Sequence, residues 1–193
     1  MGDRYSSIWS SERDAAQRQP ILIEDFDNNA NGWQIGTSSN TRSTISNGIF
    51  TFESRQANAA FFTGNNVPTL DQNQDFEVEA RMRIAEGANS VMLQWAGSSG
   101  SDLSFFGFTE DSVVFVGNWE NGVSISRSLD DFSPGEFHTL TVRKQGNRYF
   151  LFFDEVYFDV MEFENYEGSL VAFYVGPITT LEVDHIYVNQ LTE

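Results

Sequence analysis

The sequence predicts an all-β chain: an antiparallel β-sandwich of two sheets with a short helical N-terminal arm. Three observations carry this expectation. Short stretches rich in Phe, Val, Ile, Leu and Tyr recur from Ile21 onward, several with strict alternation. Turn chemistry separates them at Asn47-Gly48, Glu110-Asp111, Asn121-Gly122, Pro134-Gly135, Gln145-Gly146-Asn147 and Asp154-Glu155. No long stretch repeats its apolar residues at helical spacing, and many short strands with regular turns indicate a sandwich.

The arm, residues 1–20, reads differently from the rest. "SERD", Ser11 to Asp14, fits a capping box that opens a short helix, and Pro20 stops it. Ile8 and Trp9 could anchor this arm on the domain or on a partner; the alternative is a frayed terminus. The arm holds no apolar h-region, so no secretory signal is expected within it.

The domain, residues 21–193, opens with "ILIEDF" and the loop "DNNANG" before Trp33. The clearest strand is "FEVEARMRI". Phe76, Val78, Ala80, Met82 and Ile84 share its core face, and Glu77, Glu79, Arg81 and Arg83 are expected on a solvated face with cross-strand pairing. Stretches such as "RYFLFF" are apolar on both faces and should be central strands, or strands lining a covered groove. In the last strand Leu181 and Val183 keep one phase while Ile186 and Val188 keep the other. A β-bulge at Asp184-His185 would explain the switch and re-aim Asp184; a simple end of pairing would explain it too.

Composition narrows the function. Eleven basic and 28 acidic residues give a net charge of −17, which repels phosphate backbones and anionic lipid, so nucleic acid is not an expected partner. The 18 Phe can build a sizeable aromatic core. Without Cys there are no disulfides, thiolate metal sites or cysteine nucleophiles. No apolar run is long enough for a membrane-spanning helix.

"SDLSFFGFTEDSVVFVGNWENG", "FHTLTVRKQGNRYFLFFDEVYFDV" and "YEGSLVAFYVGPITTLEVDHIYV" follow one another in that order. Together with the opening "EDFDNNANGW" they resemble the non-catalytic, lectin-like jelly rolls of the concanavalin A-like lectin/glucanase superfamily. Bacterial modules related to laminin G-like and laminarinase-type domains are the nearest pattern. The resemblance covers roughly residues 21–191 and implies a jelly roll, a carbohydrate or protein partner, and an extracellular or cell-surface setting. One departure stands out: the hairpin that usually carries Asn-Gly carries Asp154-Glu155 here.

Catalytic relatives use an E-x-D-x-x-E strand, whose alternation sets the paired carboxylates of glycoside hydrolysis on one face. "EVDHIY", Glu182 to Tyr187, begins correctly and ends in Tyr. "ERDAAQ" lacks the last acid, and "DFEVEA" continues into Arg81 and Arg83. His138 shares its strand phase with Leu140 and Val142, and neither it nor His185 belongs to a triad pattern. A non-catalytic module is therefore expected.

Two ligand types remain. "DNNANG" matches the first half of a calcium loop, but Ser38 stands where a bidentate Glu is required. The resemblance instead implies a structural calcium where first and last strands meet, with Glu24, Asp25, Asp27 and Asp184 as candidate ligands; strand-end capping is the alternative. For carbohydrate, a flat ring beside planar amides is the needed chemistry. Trp119 with Asn118, Glu120 and Asn121, and Trp95 with Gln94, are the candidates. Core or edge packing is the competing reading of each Trp, and Trp33 is expected to lid the sandwich edge. A structural or docking subunit that uses the arm for protein contacts is the competing function.

Overall fold

The computed structural model describes residues 18–71, 73–99, 102–162 and 168–192, and among them there is no helix. Fifteen strands follow in order: β1 Arg18–Glu24, β2 Gly36–Thr37, β3 Thr41–Ser46, β4 Ile49–Ser54, β5 Phe61–Asn66, β6 Phe76–Gly87, β7 Ser90–Gly97 and β8 Ser104–Thr109, then β9 Val113–Asn118, β10 Gly122–Ser128, β11 His138–Gln145, β12 Arg148–Phe153, β13 Val156–Glu162, β14 Leu170–Val175 and β15 Thr179–Leu191. One sheet runs β13-β12-β11-β6-β15-β4-β3-β2, with β1 also paired to β15. The other runs β10-β9-β8-β7-β14-β5. The described pairings are antiparallel, as the short, turn-linked strands require.

The inner faces of both sheets supply one core. Phe76, Val78, Ala80, Met82 and Ile84 of β6 all point into it, as the alternation requires. Trp33 is not an edge lid. It is buried between the sheets, tilted against Phe50 at 5.5 Å and stacked on Phe173 at 5.3 Å. The loop before it turns inward because Asn29 and Asn31 side chains donate to the Trp33 and Ile23 carbonyls.

Two further expectations need correction. Arg18, Gln19 and Pro20 begin strand β1 and pair with Leu191, Gln190 and Asn189, although Pro20 reads as a helix stop. Pro fits there because, among the described residues, β1 pairs only with β15 and its register slips beside it, between Pro20 and Leu22. The remainder of the arm, with its capping box, Ile8 and Trp9, lies outside the described residues. Glu77 is the second: it is 1% exposed rather than solvated. Arg18 Nε reaches it at 2.7 Å from β1 and Arg143 Nη2 at 2.7 Å from β11, so the charge is buried in company.

The phase switch in the last strand is a bulge. Pairing of β15 with β6 slips between Val183 and His185 and then continues to Gln190. The slip falls where the opposite side of β15 passes from β4, paired through Val183, to β1, paired from Ile186. Asp184 is turned out of the core and meets Arg81 Nη1 at 3.1 Å.

Candidate binding face

The six-stranded sheet turns its inner face to the core and a second face away from it. Two cross-strand rows cross that second face. One contains Phe62, Tyr174, Met92, Gly107, Phe115 and Ser126; the next contains Gly64, Ala172, Gln94, Phe105, Gly117 and Val123. Neither row holds a charged residue, in a chain of net charge −17. Met92, Phe105 and Phe115, with Tyr174 against them, form an apolar cluster separate from the main core. Gly117 makes room for it, because a Cβ there would stand 2.9 Å from the Phe105 ring and 2.1 Å from the Gly122 carbonyl.

Trp119 lies over this floor. It leaves the end of β9 in the β9–β10 hairpin and is 38% exposed. Its ring centroid is 5.1 Å from Phe105 on β8 and 5.5 Å from Tyr174 on β14, so it spans β7, the strand between them. The hairpin is held by Asn118, whose side-chain oxygen accepts from the Asn121 backbone N–H at 2.7 Å. Asn118 is buried and turned to this structural task, whereas Glu120 and Asn121 are exposed on the hairpin. The face is thus a filled aromatic platform with an indole on top, not an open groove.

Trp95 does not belong to that face. It is wholly buried, edge-on to Tyr149 at 5.5 Å, and cannot offer its ring to a sugar. The cause is strand phase: Trp95 follows Val91 and Leu93 to the core, while its neighbour Gln94 points to the outer face. Gln94 is only 1% exposed, and its side-chain oxygen has no hydrogen-bond partner. It sits on β7, the strand that Trp119 spans.

The four calcium candidates do not form one carboxylate cluster. Glu24 accepts from the Phe26 N–H and the Asn31 amide, both at 2.9 Å. Asp25 accepts from the Tyr187 hydroxyl, and Asp184 is engaged by Arg81 and His185. Among the described residues no three His, Cys, Asp or Glu side chains are grouped to hold a metal. A smaller convergence exists: the Asp25 carbonyl and Asp27 carboxylate both lie 3.7 Å from where a Gly48 Cβ would stand.

Both histidines are ion-paired. His138 Nδ1 is 2.6 Å from Asp154 and Nε2 is 2.7 Å from the Ser133 carbonyl; two acceptors mean that both nitrogens carry hydrogen. Burial opposes that charge most strongly, but the hydrogen bonds to Asp154 and the Ser133 carbonyl and the charges of Asp154 and Glu136 together raise the His138 pKa. His185, on the outer face of the larger sheet, sits 3.5 Å from Glu79 and 3.1 Å from Asp184.

No family model and no curated protein matches this chain. Solved structures do. The laminarinase catalytic domain of Thermotoga petrophila RKU-1 superposes with a TM-score of 0.63 at 11% identity, over 91% of this chain and 99% of that one. The Emp47p carbohydrate recognition domain gives 0.65 at 9% identity, over 93% and 99%. The carbohydrate-binding module CBM66 from Bacillus subtilis gives 0.53 at 12% identity, over 90% and 96%. The chain shares the jelly-roll fold of these structures. The fold is shared by hydrolases and binding modules alike, so the jelly roll's function has to be argued from its own surface.

Proposed function

We propose that this jelly roll is a non-catalytic module that binds carbohydrate on the outer face of the six-stranded sheet. The observation that carries the reading is Trp119: a partly exposed indole seated on Phe105 and Tyr174, above two strand rows without a charge. Sugar rings stack on such faces, and an uncharged floor imposes no charge desolvation on them. Retaining or inverting hydrolysis needs two carboxylates facing the scissile bond. The two rows supply none, which supports binding over catalysis. Glu120 and Asn121 beside the indole are the polar groups that would meet hydroxyls.

Glycan-array screening followed by calorimetry tests this reading. Binding that is lost in Trp119→Ala, with the melting temperature retained, supports it; a folded protein that binds no glycan overturns it. The competing proposal is a docking subunit in a protein assembly, and exposed Phe62 and Val123 on the same face support it. Co-purification of a protein partner that Val123→Asp abolishes would favour that alternative.

We also propose a calcium ion beside the β3–β4 turn, held by the Asp25 carbonyl and the Asp27 carboxylate that converge near Gly48. Oxygen ligands of this kind suit a hard cation. A calcium-dependent rise in melting temperature that Asp27→Asn removes supports the site; no dependence overturns it.

A further inference from the structure

The outer face of the larger sheet is closed at one end and open at the other. Two neighbouring cross-strand rows make the closed end: Phe152, Thr141 and Glu79 in one, Phe150, Arg143 and Glu77 in the next. These side chains point away from the core, because Leu140, Val142, Tyr149, Leu151 and Phe153 take the inward phase. Yet Phe152 and Arg143 are each 1% exposed, Phe150 is 6% exposed, and Thr141 is fully buried. Further along β6 the same face is open, with 42% of the Arg81 side chain and 36% of the Arg83 side chain exposed.

No described strand lies over the closed end, since the six-stranded sheet packs on the opposite face. A bare sheet face would leave two phenylalanines and an arginine in water. The burial is that of one chain alone, so another part of the same chain shields them. The chain enters at this place. Arg18 opens β1, and its guanidinium crosses to Glu77 at 2.7 Å. Residues 1–17 precede it, among them Tyr5, Ile8 and Trp9. From β1 across β15, β6 and β11 to β12 is four strand spacings, roughly 19 Å. The nine residue steps from Arg18 back to Trp9 span up to about 30 Å, so the indole is within reach of Phe150 and Phe152.

We propose that residues 1–17 fold back over the outer face of the larger sheet, with Ile8 and Trp9 seated on Phe150 and Phe152. The partner of this face is then the protein's own N-terminal segment, held in cis. Charge favours this over a second copy, because two bodies each carrying −17 repel. The proposal is independent of glycan binding. It does bear on the competing docking function. An arm committed to its own domain is not a tether, and a protein partner would have to meet Phe62 and Val123 on the opposite sheet.

The test is paramagnetic broadening of amide NMR signals in the full chain. There is no Cys, so Ser6→Cys gives a single attachment point for a nitroxide. The expected result is that the Thr141, Arg143, Phe150 and Phe152 amides lose most of their intensity, while those of Phe62 and Val123 keep theirs. Ile8→Ser with Trp9→Ser should restore the lost signals, with the Phe62 and Val123 signals still in place. A mixture of nitroxide-labelled chain with unlabelled, isotope-enriched chain should show no broadening. Intact Phe150 and Phe152 signals in the labelled chain would overturn the proposal and assign the cover to residues 163–167. Broadening that survives the double substitution would overturn the two anchors. Broadening in the mixture would mean that a second copy supplies the segment, and would overturn the fold-back.

Discussion

Tyr187 on the last strand donates its phenolic hydrogen to Asp25, just past the first strand, across 162 residues of sequence. The two regions that the resemblance joins through an ion are also joined through a hydrogen bond. Burial and this bond raise the Tyr187 pKa to about 12. An absorbance titration should show one tyrosine ionising well after ordinary tyrosines, and Asp25→Asn should bring it back toward 10. Tyr187→Phe should cost about 0.5–1 kcal/mol in denaturant unfolding, the modest worth of a partly exposed hydrogen bond.

Removing the Glu77 carboxylate should be far more damaging. It faces Arg143, 1% exposed, and Arg18, so Glu77→Gln leaves buried cationic surface without the anion that both guanidiniums contact. Breaking a buried pair in this way costs about 3–5 kcal/mol, readable as a lowered denaturation midpoint.

Stability should fall as pH rises above neutrality. Against the opposing effect of burial, His138 is held protonated by Asp154, and His185 by Glu79 and Asp184, so both folded-state values lie above the ordinary 6.5. Their contribution is fully present below 6.5 and is lost as pH climbs through the raised values. Asp154 and Glu79 are shifted down despite burial, so their share is lost only in acid. Melting temperatures recorded from pH 6 to 9 should decline, and the decline should flatten in His138→Gln with His185→Gln.

The hairpin between β12 and β13 is built from two residues with positive φ, Asp154 at 48° and Glu155 at 64°. Asp154 has a compensating role: its carboxylate accepts from the Thr139 N–H at 2.8 Å and from His138. Glu155 has no such bond among the described residues. Glu155→Gly should therefore stabilise the fold by about 0.5–1 kcal/mol, by removing the cost of a left-handed backbone for a residue with a Cβ.

Strand phase was the legible part of this chain. It identifies the core face of β6 and the phase switch at Asp184-His185, which a bulge or an end of pairing explains equally well, and the same phase carries Trp95 inward with Val91 and Leu93. The Trp119 platform was half legible. Its hairpin carries polar turn residues, but Phe105 and Tyr174 read as ordinary core aromatics. Only the pairing of β8, β7 and β14 puts them under the indole, and pairing between distant strands leaves no local trace. The start of β1 is not legible from Pro20, because proline ends a helix and tolerates an unpartnered strand side equally well.

The position of β15 has a consequence for how the molecule comes into being. It pairs with β6 along nearly its whole length and with β4 and β1 on its other side, so three earlier stretches of chain meet on the strand made last. On the ribosome, β1 and β4 must wait more than a hundred residues for the surface that receives them. Loop closure over such separations is slow, and folding dominated by it proceeds in milliseconds to seconds. Until β15 has emerged from the exit tunnel, β1 lacks its partner and β4 and β6 each lack one of theirs, and the chain's net charge of −17 opposes association of such unfinished chains.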